Sequence, residues 1–279
     1  MSPREPSADR GLPTFLRIDP DAPLDLAAVD TRDMLGFADK QEGKDALAAD
    51  VARLRDLQRI LWAESGRAVL VVLQGMDTSG KDGTVRHVFG PMNPQGVRVW
   101  PFVAPTALER KHDYLWRVHR QVPPRGILGV FNRSHYEDVL VPVVEGPLTA
   151  RDQELRLRQI RDFEQYLAEN DVVILKFFLH ISRAEQKERL EKRLSRAHKN
   201  WKFSRGDLET RSKWDAYWSA YTRLLVDTSR PWAPWYLIPA DRKWLRNALV
   251  ARIVREALEG MELRYPEPSE KLDDVVIPD

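Results

Sequence analysis

Apolar positions along this chain follow two alternating patterns. Across Lys40–Glu64, Leu47, Val51, Leu54, Leu57, Ile60 and Leu61 recur three or four residues apart, the spacing that lines one face of a helix. Residues 68–73 then form an unbroken apolar run, the mark of a strand covered on both faces. The alternation continues to the end of the chain. Further strands are predicted at 97–102, 127–131, 172–181 and 235–238, with helices at 83–89, 106–121, 149–170, 183–196 and 242–258. Strands alternating with helices predict an α/β protein with a five-stranded parallel sheet flanked by helices. Ligands of such sheets lie beyond the carboxyl ends of the strands, where Gly75, Asn132 and Ser182 fall.

Residues 1–23 are rich in Pro, Asp and Arg and lack an apolar period. We therefore read 1–34 as an N-terminal arm, 35–262 as one domain and 263–279 as a tail. No internal repeat is present. The formal net charge is only +2, so any polyanion affinity must come from local clustering. The absence of cysteine excludes disulfides, zinc thiolates and a Cys nucleophile. Residues 1–12 show no apolar signal-peptide core, and no run is long enough to span a bilayer. A cytoplasmic protein that binds neither membrane nor nucleic acid is expected.

Candidate chemistry begins directly after the first predicted strand, with GMDTSGKDG at 75–83. Gly75, Met76, Thr78, Ser79, Gly80, Asp82 and Gly83 frame a phosphate-binding loop, whose backbone N–H groups form a nest for anions. Lys81 adds a charge able to reach phosphate oxygens. Asp82 stands where Ser or Thr usually holds Mg²⁺, so the wiring differs from that of a standard ATPase. Asp77 inside the loop is a Mg²⁺ ligand, a base acting on an incoming phosphate oxygen, or a turn former.

Three more groups carry candidate chemistry. GVFNRSHYEDVL follows the third strand, where a Walker B acid would lie. Asn132 holds the strand end, and Arg133 offers paired donors to phosphate oxygens. Glu137 and Asp138 are the available carboxylates. His135 is as much a loop histidine as a catalytic one. In 108–120, Arg110, Arg117 and Arg120 recur at helical spacing, and Arg117 is a candidate nucleotide-phosphate ligand. Within 189–213, Arg189, Arg193, Arg196, Lys199, Lys202 and Arg205 form a basic excess suited to a lid over a polyanion, or to a solvated face.

Taken together, GMDTSGKDGTVRHVFG, LWRVHRQVP, GVFNRSHYEDVLV, HKNWKFSRGDLE, WDAY and PADRKWLRN resemble the second family of polyphosphate kinases, over about 35–262. The resemblance implies a P-loop kinase fold similar to thymidylate kinase, with a basic helical lid. It implies Mg²⁺-dependent transfer of the terminal phosphoryl group of inorganic polyphosphate to AMP and ADP, giving ADP and ATP, reversibly. FNRSHYED looks like the subgroup that accepts both nucleotides. By motif, Asp77, Lys81 and Arg133 are expected catalytic residues; Asp138 joins them as a carboxylate after the third strand, with Asp77 and Asp138 expected on Mg²⁺ and Asn132 or Glu137 as alternatives for the second metal contact. Arg117, Asn132, His135 and Glu137 are expected at the nucleotide, and the six basic residues from Arg189 to Arg205 at polyphosphate. A homodimer or homotetramer is expected. The rivals are an ATP-dependent nucleotide kinase and a polyanion-binding module with an inert loop.

Overall fold

The computed structural model describes residues 14–146, 148–270, 272, 275, 277 and 278. The strands are β1 (Ala68–Gln74), β2 (Val97–Pro101), β3 (Leu128–Asn132), β4 (Val172–His180) and β5 (Trp235–Pro239). The helices are α1 (Lys40–Glu64), α2 (Lys81–Thr84), α3 (Trp116–His119), α4 (Glu137–Glu145), α5 (Ala150–Glu169), α6 (Arg183–Leu194), α7 (Arg205–Ser212), α8 (Trp214–Thr228) and α9 (Lys243–Gly260). All strand pairs are parallel, in the order β2-β3-β1-β4-β5. None of the described helices is long and apolar enough to cross a membrane.

Strand composition explains this architecture. Every residue of β1 and β4 is buried, as their largely apolar sequences require when helices cover both sheet faces, with Lys176 the buried charge within β4. Side chains of β1 alternate between two cores. Val69, Val71 and Leu73 pack with α1 and α9, whereas Leu70 and Val72 pack with α4, α5 and α8. Asp39 caps α1 by accepting from the backbone N–H of Gln41 and Glu42, and Leu54, Leu57 and Leu61 bury its apolar face. In the arm, Leu16–Ile18 lie antiparallel beside β5: Ile18 N–H donates to Trp235 O at 2.8 Å, and Leu237 N–H to Leu16 O at 2.9 Å. The part of the arm before residue 14 lies outside the described residues.

β1 sits between β3 and β4, and Leu73 is in register with Asn132. The chain therefore leaves β1 and β3 at neighbouring points, which brings the phosphate loop beside the Asn132–Asp138 segment. Elsewhere the expected elements need revision. The helix expected at 106–121 is a 3₁₀ turn, Glu109–Lys111, followed by the single turn α3. His112 is extended, and Asp113 Oδ1 accepts from the N–H of Leu115 and Trp116, which ends one turn and starts the next. The helix expected at 83–89 starts at Lys81 and widens into a π turn at Val85–Phe89. Helix α7 falls within the expected helical lid, whereas α4 and α8 were not anticipated. The last was legible in principle, because Trp214, Tyr217, Tyr221, Leu224 and Leu225 are buried at helical spacing.

Candidate active site at the phosphate loop

Two glycines give the phosphate loop its shape. Gly75 has φ +145° and Gly80 φ +110°, in the left-handed half of backbone space that disfavours side chains. A Cβ on Gly75 would lie 2.6 Å from Leu179 O, and one on Gly80 only 1.7 Å from Arg246 Nη1. Thr78, β-branched, is nevertheless held at φ +66°, a strained state of the kind that collects at functional sites. The hydroxyls of Thr78 and Ser79 are buried without a hydrogen-bond partner, so the loop presents unsatisfied polar atoms.

Lys81 begins α2 and folds back over the loop. Its Nζ donates to Gly75 O at 2.6 Å and to Met76 O at 3.3 Å. Burial, aided by Arg133, pushes its ammonium down to about 8, against the pull of Asp77, Glu137 and Asp82. Arg133 is itself left-handed at φ +62°, and its Nη2 donates to Asp77 Oδ1 at 2.5 Å. Burial opposes its charge, but Glu137 and Asp77 outweigh it and hold the guanidinium above its ordinary value. Burial, with help from Asp77, raises the Glu137 carboxyl, although Arg133 and Lys81 pull the other way. Two cations and two carboxylates thus meet at the carboxyl ends of β1 and β3.

Glu137 and Asp138 part company here, and the expected role of Asp138 changes. As neighbours on α4 they point to different places. Glu137 joins the loop cluster, while Asp138 Oδ2 accepts from Arg117 Nη2 at 3.0 Å. Arg117 is buried, donates to Val103 O at 2.7 Å, and lies 5.5 Å from the Phe102 ring centroid. Its Nε is buried without a partner. Arg117 and Asp138 line a cavity of about 320 Å³ together with Glu109, Arg110, Asp113 and Arg156. Asp138 is thus paired with Arg117 in this cavity, whereas Glu137 lies with Asp77 in the loop cluster. Among the described residues no group of three or more His, Asp or Glu side chains is arranged to hold a metal.

The remaining expected residues sort by their partners. Asn132 Nδ2 donates to Asp82 Oδ1 at 2.9 Å, so it orients the loop. Lys202 Nζ reaches Asp82 Oδ2 at 3.0 Å and fastens the lid to the loop. Burial alone would raise the Asp82 carboxyl, but these two donors hold it below its ordinary value. His135 departs from expectation. It is 1% exposed, and its Nε2 faces Glu164 Oε1 at 3.3 Å in the core, away from the nucleotide role assigned to it. Arg189 departs too. Its donors go to Glu185 and to the carbonyls of Thr78, Ser79, Ala240 and Asp241, so it braces the loop from behind and has nothing left for polyphosphate. Arg193 staples the lid internally through Lys202 O and Asp207. Arg196 and Arg205 are exposed and Lys199 half-buried, which leaves these three facing outward.

Other residues at the site gave little sequence signal. Gln186 Nε2 donates to Asp77 O at 3.2 Å, and Arg246 Nη1 to Ser79 O at 3.1 Å. Asp207 lies near enough to the loop that burial and Asp77 raise its carboxyl. Only the PADRKWLRN string pointed near Arg246, and it did so without a role.

Known proteins share this arrangement. The family model for polyphosphate kinase 2 matches residues 37–266. An AMP/ADP-polyphosphate phosphotransferase of Meiothermus ruber is 50% identical over 94% of this chain and 98% of its own. An ADP-polyphosphate phosphotransferase of Rhodopseudomonas palustris is 42% identical over 83% of this chain and 84% of its own. The crystal structure of polyphosphate kinase 2 from Arthrobacter aurescens superposes with a TM-score of 0.89 at 44% identity, covering 92% of both chains. With a phosphate loop on the central strand of an all-parallel sheet, and a match over most of its length, this chain belongs to the polyphosphate kinase 2 family.

Proposed function

We propose that this enzyme transfers the terminal phosphoryl group of inorganic polyphosphate to AMP and to ADP. The observation that carries the reading is the adjacency of two places where arginine or lysine is held beside carboxylates. Lys81 and Arg133 converge at the phosphate loop, and Asp138, in the cavity with Arg117, directly follows Glu137, which faces that loop. The loop suits the end of the donor chain, and the cavity suits the phosphate of the acceptor nucleotide. The names of the Meiothermus and Rhodopseudomonas relatives support the same donor and acceptors.

In this mechanism a terminal phosphate oxygen of AMP or ADP attacks the end phosphorus of polyphosphate. The bond from that phosphorus to the bridging oxygen breaks, and a polyphosphate one unit shorter leaves. Lys81 and Arg133 hold the transferring group, since phosphoryl transfer needs positioning and charge neutralisation more than covalent chemistry. Arg117 orients the acceptor, with Asp138 fixing its guanidinium. Outward-facing Arg196, Lys199 and Arg205 follow the rest of the anionic chain. Asp77 and Glu137 are oxygen donors of the kind Mg²⁺ takes, and both interact with Lys81 and Arg133 at the loop, so the residues fit that ion together with substrate phosphates. Bound with the substrate phosphates, Mg²⁺ would neutralise phosphate charge. Because one phosphoanhydride is broken as another forms, the reaction runs in both directions. We place the enzyme in the cytoplasm as a homodimer or homotetramer.

The test supplies polyphosphate as the sole phosphoryl donor with Mg²⁺ and either AMP or ADP. ADP from the first and ATP from the second are the expected products. Turnover with ATP as donor and none with polyphosphate would move the enzyme to the ordinary nucleotide kinases.

A further inference from the structure

Behind the phosphate loop lies a cation that the transfer chemistry does not use. Arg246, on α9, is 2% exposed. Its Nη1 donates to Ser79 O at 3.1 Å, while Nε and Nη2 donate to Asn247 Oδ1 at 3.2 and 2.8 Å. Both acceptors are neutral. Among the described residues no carboxylate forms an ion pair with it, and the charge acting on it is another cation, Arg189. Burial and Arg189 push the guanidinium down to about 9, still protonated at neutral pH. Arg189 differs in having its own counter-ion, Glu185 at 2.8 Å.

A buried charge without a counter-ion costs stability, so its retention needs a reason. The packing supplies one. The guanidinium lies so close to the loop that a Cβ would meet it at 1.7 Å on Gly80 and 2.9 Å on Gly83. In a trans peptide the C=O and N–H point opposite ways. The Ser79 carbonyl faces Arg246, so the Gly80 N–H faces away from it, toward the side of the loop where a phosphate would sit. The hydrogen bonds from Arg246 and from Arg189 Nη1, each at 3.1 Å, polarise this peptide and strengthen that N–H as a donor. Lys243 adds to the same field. Burial and the nearby Arg189, Lys199 and Arg246 lower its ammonium, with Glu185 opposing.

We propose that the missing counter-ion of Arg246 is the phosphate on the opposite side of the loop, and that Arg246 is an electrostatic positioning residue acting through the Ser79–Gly80 peptide. The inference rests on the proposed reading of the loop as the donor-phosphate site.

Asn247→Asp is the sharpest test. Asn247 is 4% exposed, and the substitution keeps an oxygen where Arg246 donates while giving it a counter-ion in place. Tripolyphosphate binding is titrated calorimetrically on the full chain, without nucleotide or turnover, alongside thermal melting. Asn247→Asp is expected to melt at or above the wild-type temperature and to bind tripolyphosphate about tenfold more weakly. Arg246→Met should weaken binding similarly, and Arg246→Lys, which keeps the charge, should stay within about threefold of wild type. Folded Asn247→Asp with wild-type affinity overturns the proposal, and so does equal weakening in Arg246→Met and Arg246→Lys, which would mark a mere brace. If Arg246→Met does not fold, Asn247→Asp still decides. A wild type that fails to bind tripolyphosphate at all sinks the loop reading itself, whereas normal binding with an unaffected Asn247→Asp sinks only the role of Arg246.

Discussion

Lys176 is the buried charge whose removal should be felt most. It is fully buried in β4, and its Nζ donates to Glu164 Oε2 at 2.5 Å, Tyr136 OH at 2.9 Å and Thr228 O at 2.8 Å. Glu164 Oε1 also accepts from Tyr136 OH at 2.7 Å and faces His135 at 3.3 Å. This cluster sits under Ser134–Glu137, so it supports the turn that presents Arg133 and Glu137. Lys176→Met leaves Glu164 buried without its cation, and breaking such a pair costs about 3–5 kcal/mol. Glu164 escapes part of that cost by taking a proton. In the wild type, burial would raise the Glu164 carboxyl, but Lys176 and His135 outweigh it and hold it low. In the variant burial wins and the carboxyl rises above its unfolded value. A group raised on folding contributes stability at low pH that is lost as pH rises through its folded value. The variant's deficit should therefore be small near pH 5 and grow toward pH 8, by up to ~1.4 kcal/mol per pH unit for one proton. Burial also lowers the Lys176 ammonium itself to about 8, against Glu164 and with Arg230, so comparisons belong below that value. Urea unfolding midpoints at pH 5.5 and 7.5 measure the difference. A deficit under about 1 kcal/mol at pH 7.5, or one that does not change between the two pH values, would refute the reasoning.

Two further outcomes are expected at the site. Because the Lys81 ammonium is held down to about 8, chiefly by burial, the free enzyme should lose tripolyphosphate affinity as pH rises through that value. Phosphate favours the protonated lysine, so binding above pH 8 must take up a proton, which calorimetry in buffers of different ionisation heat detects; a flat profile from pH 7 to 9 would contradict the assignment. Arg117→Met removes the partner of Asp138 and the cation nearest the Phe102 ring, and should raise the acceptor KM roughly tenfold or more, by ~1.4 kcal/mol or more, with the polyphosphate KM little changed. A rise confined to the polyphosphate KM would place the acceptor elsewhere.

Much of this protein was legible from local pattern. The apolar runs of β1 and β4, and the spacing along α1, specify elements whose neighbours are within a few residues, so one strand's covered faces reveal a parallel sheet. The phosphate loop is equally local, since its glycines and Lys81 act within one turn of chain. What tertiary structure alone decided is which way adjacent polar residues face. Glu137 and Asp138 differ by one position, yet α4 turns the first to Lys81 and Arg133 and the second to Arg117, a separation set by helix rotation. His135 reads as a site residue until β4 brings Lys176, and α5 brings Glu164, beneath it. Arg189 reads as a lid cation, and Arg246 has no readable role, until the end of β5 and the start of α9 close behind the loop and bury both. Charge and spacing are written in the chain, but burial and partnership arise between segments more than a hundred residues apart, as between Arg189 and Thr78 or Arg246 and Ser79.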